Sequence, residues 1–207
     1  MSHRKRDKKS KNKSSTELFG EPDVAAPPCE TTDSKAAREV TEAVVRSAWA
    51  AAQEWTVAWK VGSGHLKMVV DGLEGLEGDR VPEKAVHDAA KSVHGALVKM
   101  RGCVTTLQGL LQQLRKVEEL EKKKEDDGGG GGPLFSTLTL HHMVLVLASV
   151  CNDYEQETRI KEAACRPLPS IRSPEGLNSA LALWTNLAYL PPHHFPLKTL
   201  LRETQQL

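Results

Sequence analysis

The sequence lacks the features that mark secreted and membrane proteins. Its four cysteines are scattered over 207 residues as Cys29, Cys103, Cys151 and Cys165, with no Cys-x-x-Cys pair, which excludes a dense disulfide framework. The longest apolar run, residues 143–148, is much shorter than the roughly 18 residues of a membrane-spanning helix. No hydrophobic stretch follows the basic N-terminus, so we expect no secretory signal peptide. These absences favour a soluble intracellular protein with reduced thiols and no membrane contact.

The net charge of +1 hides an uneven distribution along the chain. Residues 1–13 contain seven Lys or Arg and one Asp, whereas the remainder contains 21 basic and 26 acidic residues. A basic arm of this kind is typical of a nuclear import signal, a phosphate-binding arm or a solubilising tail. No aromatic residue is interleaved with the charges to stack on bases, so import is favoured over direct nucleic-acid binding. The import candidates are Arg4, Lys5, Arg6, Lys8 and Lys9.

Composition divides the chain into four regions. Residues 1–34 are polar and poor in large apolar side chains, which predicts a disordered basic tail. Residues 35–126 carry two long helical patterns, interrupted before Pro82. Residues 127–133 are glycine-rich and predict a hinge, and residues 134–207 hold a third helix and two short C-terminal helices.

Apolar residues recur every three or four positions, which is the period of an α-helix packed on one side. The second pattern has an apolar residue at every expected position, namely Val86, Ala89, Val93, Ala96, Met100, Cys103, Leu107, Leu110, Leu114 and Val117. The first pattern is Val45, Ala48, Ala52, Trp55, Trp59, Gly62, Leu66, Val69, Leu73 and Leu76. No segment has the alternation of a β-strand. The sequence therefore predicts an all-α protein: an elongated helical bundle or antiparallel coiled coil, in which the long stripes exceed what one short chain can cover.

No constellation of residues indicates catalysis. The pairs His141/His142 and His193/His194 are adjacent residues, which point about 100° apart on a helix and cannot jointly chelate one metal ion. The stretch VGSGHLK at 61–67 lacks the GK[ST] ending and the preceding strand of a phosphate loop. We therefore assign no catalytic, metal or cofactor residue and no small-molecule substrate, and expect a protein that is not an enzyme.

Four motifs in the second half of the chain carry a family resemblance. They are PLFST at 133–137, the Tyr-x-x-Glu-x-x-x-Lys pattern from Tyr154 to Lys161, a segment with Leu177, Trp184 and Tyr189, and LKTLLRET at 197–204. In this order and spacing they resemble the cyclin-dependent kinase 2-interacting protein family. The upstream helix that contains Trp59 and the long second helix are also similar, so the resemblance extends over about residues 40–207.

The resemblance implies a non-enzymatic adaptor in the nucleus, with the cytoplasm as a second location. The partners it implies are cyclin-dependent kinase 2, the replication-initiation kinase, the ATR-interacting checkpoint protein, and an AAA+ ATPase assembly with a second small coiled-coil subunit. The implied roles are DNA replication, checkpoint signalling, the cell cycle and cell division, together with maturation of the large ribosomal subunit and turnover of the replisome. Nucleic-acid binding through the basic arm is the alternative function.

The heptad positions and the motifs together give the candidate partner-binding residues. They are Trp55, Trp59, Met100, Leu107, Leu110, Leu114, Phe135, Tyr154, Trp184, Tyr189, Leu200 and Leu201.

Overall fold

A computed structural model describes residues 32–73, 81–127, 134–190 and 194–205. These residues form five α-helices and one short 3-10 turn (Leu168–Ser170), and contain no strand. The helices are α1 (Thr32–Asp71), α2 (Glu83–Asp126), α3 (Leu140–Cys165), α4 (Pro174–Thr185) and α5 (Phe195–Gln205). The chain is therefore all-α, as the sequence predicts. The import candidates at 4–9, most of the predicted tail and nearly all of the predicted hinge lie outside the described residues.

The helices begin where the sequence places their start signals. The side chain of Thr139 accepts a hydrogen bond from the backbone N–H of His142, and α3 follows directly. Ser173 accepts in the same way from Gly176 at 3.2 Å, with Pro174 in the first turn of α4. Both contacts satisfy an N–H group that the helix itself leaves without a partner. Pro82, which lacks an N–H, immediately precedes α2.

Helices α1, α2 and α3 pack side by side, with α2 antiparallel to both neighbours. The late residue Glu162 of α3 pairs with Arg101 in the middle of α2, and the early residue His141 pairs with Glu118 near the α2 end. All ten positions of the α2 stripe from Val86 to Val117 are buried between these helices. Helices α4 and α5 each contact both α1 and α3.

The chain covers more of its own apolar stripes than the sequence predicts. The long stripes were expected to exceed what the chain could cover, yet the α2 stripe is buried against α1 and α3. Trp184 and Leu177 of α4 and Leu197 and Leu200 of α5 are also buried, at 0–1% exposure. The expectation was wrong because a bundle of helices with different lengths covers more of each long helix than a single antiparallel pair does.

Gly62 allows α1 to approach α4 closely. The ring of Trp184 lies directly over this glycine, and a Cβ atom at position 62 would overlap Cζ2 of the ring and lie 2.8 Å from Cε2. Gly64, only two residues away, has no neighbouring atom within 4 Å of the same position. Helix α1 runs continuously through both glycines, so Gly62 serves the packing of Trp184 and not a helix break.

This difference gives a matched pair of substitutions. Gly62→Ala should lower the free energy of unfolding by about 1–3 kcal/mol, because overpacking against the buried Trp184 ring outweighs the gain in helix propensity. Gly64→Ala should raise it by up to about 1 kcal/mol, since only the propensity changes. Urea unfolding of both variants measures the effect, and equal stabilisation by the two substitutions would contradict the packing described here.

Candidate functional site

The Tyr-x-x-Glu-x-x-x-Lys motif forms a buried ion pair. Glu157 and Lys161 lie one turn apart on α3, both side chains are 0% exposed, and Lys161 Nζ is 2.7 Å from Glu157 Oε1. Lys161 also donates to the carbonyl oxygens of Leu183, at 3.1 Å, and Asn186. Glu157 Oε2 accepts from the backbone N–H of Tyr189 at 2.8 Å. The pair therefore fixes the C-terminal end of α4 and the segment that follows it.

Trp59 and Trp184 hold α1 against the same end of α4. The indole N–H of Trp59 donates to the carbonyl oxygen of Trp184 at 2.8 Å. The indole N–H of Trp184 donates in return to the carbonyl oxygen of Trp59 at 3.1 Å. The last carbonyls of a helix have no partner within it. Trp59 and Lys161, from two different helices, satisfy these groups at the end of α4.

Trp55, one turn before Trp59 on α1, connects this helix to Tyr154 on α3. The indole N–H of Trp55 donates to Thr158 Oγ1 at 2.9 Å, and the two aromatic rings meet edge to face at 5.3 Å. The hydroxyl of Tyr154 is hydrogen-bonded to Nδ1 of His194, whose φ of 51° lies in the left-handed region. Burial raises the pKa of Tyr154, so its phenol stays neutral. His194 in turn leads directly into α5.

Glu203 joins the first motif to the last one. Its carboxylate accepts from the backbone N–H of Thr137 at 2.5 Å, from the Thr137 hydroxyl at 2.5 Å, and from the N–H of Leu138 at 2.9 Å. Burial opposes ionisation of this carboxylate, but these hydrogen bonds outweigh it and lower the pKa of Glu203. Phe135, beside the bonded residues, is only 3% exposed. Glu203, in the LKTLLRET segment of α5, therefore holds the PLFST segment against this helix.

The motif residues therefore form one connected set of contacts inside the chain. The candidate partner-binding residues are mostly buried within the chain, and their contact with a partner stays a prediction. Only Tyr189 is substantially exposed (49%), and Trp59 and Leu201 are partly buried. The remaining nine are buried by the chain's own helices: Trp55, Met100, Leu107, Leu110, Leu114, Phe135, Tyr154, Trp184 and Leu200.

The other polar candidates have local partners. His141 contacts Glu118 at 2.7 Å, and His142 contacts Thr139 at 2.9 Å. Across the described parts of the chain, no three His, Cys, Asp or Glu side chains come together as a metal site would require. Burial raises the pKa of Cys151 to about 11, so that thiol is protonated at neutral pH. None of the described helices combines the length and apolar character needed to cross a bilayer.

A second helical stripe remains uncovered on the outer face of α1. It follows the same three- and four-residue steps as the buried stripe, and every member is exposed. The members are Val40, Ala43, Ser47, Ala50, Glu54, Val57, Val61, Gly64 and Met68. The sequence alone contains the spacing of this stripe. A pattern of large apolar side chains does not reveal it, because small and polar residues occupy several of its positions.

The uncovered stripe borders a groove between α1 and α2. The groove has a volume of about 840 Å³ and is lined on one side by Val57 and Val61 and on the other by Gly95 and Gly102. No atom lies within 4 Å of where a Cβ would stand at Gly95, Gly102 or Gly109. A mid-helix glycine costs about 1 kcal/mol relative to alanine. Nothing in the described contacts of the bundle requires these three glycines.

No protein-family model matches the chain, and comparison with curated proteins finds no match either.

The buried ion pair predicts a large effect at Lys161. Lys161→Met leaves the Glu157 carboxylate buried without its counter-ion and should lower the free energy of unfolding by about 3–5 kcal/mol. Lys122→Met is the control, because its pair with Glu118 lies at the surface and should contribute less than about 1 kcal/mol. Chemical denaturation gives both values. Equal losses in the two variants would show that Lys161 is not held as described.

Glu203 predicts a pH-dependent contribution to stability. Its pKa is lower in the folded chain than the value of about 4.3 in an unfolded one, so its ionised form stabilises the fold above that pH. The contribution is lost as the pH falls through the folded-state pKa. The difference in urea midpoint between the wild type and Glu203→Gln should therefore be largest at neutral pH and shrink below about pH 4. Glu119→Gln, at an exposed position on α2, controls for the removal of a charge. A difference that stays constant over this range would contradict the role of Glu203.

Proposed function

We propose that this protein is a non-enzymatic adaptor that binds a partner protein through the groove between α1 and α2. The observation that carries the proposal is the set of exposed large apolar side chains on one face of α1, namely Val40, Val57, Val61 and Met68. They lie within the uncovered stripe, which spans about 42 Å at 1.5 Å per residue. Exposed apolar surface in continuous patches is typical of protein interaction sites.

The expected occupant is one α-helix with large apolar side chains. Side chains on a helix form ridges at three- and four-residue spacing, which fit grooves of the same spacing on a neighbouring pair. The open glycines at 95 and 102 line the groove seven residues apart and leave room for one bulky side chain every two turns. Val57 and Val61 supply apolar surface on the opposite side of the groove.

Two other occupants fit the groove less well. A second copy of the chain would set one concave, glycine-lined surface against another and leave both unfilled. Residues 1–31 contain Pro22, Pro27 and Pro28, which interrupt a helix, and few large apolar residues. The geometry of the groove therefore favours a helix from a different protein.

The motif resemblance suggests which partners to test. It supports a nuclear adaptor for cyclin-dependent kinase 2, the replication-initiation kinase, the ATR-interacting protein or the AAA+ ATPase assembly with its small coiled-coil subunit. The buried motif residues support this role indirectly, since they hold the bundle in the shape that presents the groove.

The full chain, co-expressed with each of these partners in turn, tests the proposal. Val57→Arg combined with Val61→Arg places two charges in the groove and should reduce co-purification of the true partner at least about ten-fold. Val98→Arg combined with Leu145→Arg is the matched control, because these side chains are similarly exposed and lie outside the groove. Full retention of every partner by the groove variant, or an equal loss in the control, would overturn the proposal.

A further inference from the structure

A second concave surface lies between α2 and the C-terminal end of α3. It has a volume of about 480 Å³, and its lining includes basic or titratable nitrogen-bearing side chains, four from α2 and one from Arg166, which directly follows α3. Those side chains are His87, Lys91, His94, Arg101 and Arg166. The lining contains a single carboxylate, that of Glu162. The floor between the charges is apolar and includes Leu97 and Pro169.

Of the three Lys and Arg side chains that line this pocket, only Arg101 has a carboxylate partner among the described residues. Within the described residues, no carboxylate lies within 4.0 Å of Lys91 or Arg166.

Arg101 also keeps free donors. It contacts Glu162 through Nε alone, so its two terminal nitrogens make no hydrogen bond within the described part of the chain. Like charges gathered in a concavity repel one another, and an anion bound there would relieve that repulsion.

We propose that this pocket binds the phosphate group of a phosphorylated serine or threonine in a partner protein. A phosphomonoester carries nearly two negative charges at neutral pH and three strong acceptor oxygens, which match a cluster of Arg and Lys donors. The pocket has room for one such side chain, and its apolar floor suits the aliphatic residues that flank a phosphorylated position. Recognition of phosphorylated segments by basic clusters is a recurrent mode of peptide binding.

The same features argue against a nucleic-acid ligand at this pocket. A nucleic acid presents a continuous row of phosphates, whereas the Lys and Arg side chains of this pocket are confined to one concave site. No aromatic side chain lines the pocket to stack on a base. The thiol of Cys165 also lines it, and burial raises the pKa of Cys165 to about 12, so that thiol is protonated at neutral pH.

The inference does not depend on the proposed function, because the two surfaces share no lining residue. The experiment measures retention of the purified full chain on beads that carry a degenerate library of short peptides with a central phosphoserine. Identical beads with an unphosphorylated serine give the reference. Measurements at about 0.15 M salt limit long-range attraction by the basic arm, since the screening length is then about 8 Å.

The wild type should be retained only by the phosphorylated library. Lys91→Ala with Arg166→Ala should reduce this retention at least about ten-fold, because two donors to the phosphate are lost. Arg46→Ala with Lys67→Ala removes the same charge from exposed positions of α1, and Lys8→Ala with Lys9→Ala removes it from the arm. Each of these controls should change retention less than about two-fold, as expected for charges remote from the ligand.

Three results would overturn the inference. The first is equal retention on phosphorylated and unphosphorylated beads. The second is unchanged retention of Lys91→Ala with Arg166→Ala. The third is loss of retention in the arm variant together with displacement of the wild type by single-stranded DNA, which would assign the binding to nucleic-acid phosphates on the arm. The Val57→Arg, Val61→Arg variant should keep its retention on the phosphorylated library, so failure of the adaptor proposal and failure of this inference can be told apart.

Discussion

The buried pair of Glu157 and Lys161 is the constraint on which the arrangement of the C-terminal half depends. Removing two charges from water costs several kcal/mol for each ion, against a total stability of about 5–15 kcal/mol for a typical domain. That cost is partly offset here, because the C-terminal end of α4 and the segment after it accept from Lys161 and donate to Glu157 Oε2. Among the described residues, Glu157 Oε1 has only its ionic contact with Lys161 Nζ. The pair therefore specifies one position for α4, and with it the position of Trp184 over Gly62.

Two helical stripes of the bundle differ in what covers them: the stripe of α2 is buried, and the stripe on the outer face of α1 is exposed. The large apolar stripe of α2 is covered by α1 and α3, while α4 and α5 each pack against α1 and α3. The second stripe, on the outer face of α1, contains valines, Met68, small residues and Glu54, and stays exposed beside a glycine-lined groove. A fold that satisfies its own motif residues internally can present the second stripe without depending on a partner for stability, which is consistent with the adaptor role proposed above.

Much of the fold was predictable from sequence because helix signals are local. The start of α3 at Thr139 and of α4 at Ser173 and Pro174 follow from capping chemistry within a few residues. What covers each stripe was not predictable, since it depends on contacts such as Trp55 with Thr158, which lie 103 residues apart. The partner-binding candidates show the same limit: a large apolar residue at a heptad position indicates burial, but the sequence does not say whether the covering helix comes from the same chain.

The central claim is that the tryptophans of the motifs find their hydrogen-bond partners inside the isolated chain. Hydrogen exchange of the indole N–H groups, followed by NMR on the purified protein without partners, tests it most directly. Trp49, whose indole N–H makes no hydrogen bond within the described residues, is the internal reference. We expect exchange at Trp55, Trp59 and Trp184 to be slowed to the rate set by unfolding of the whole bundle. Exchange of these three as fast as at Trp49 would contradict the account, because the motif residues would then be open and available to a partner.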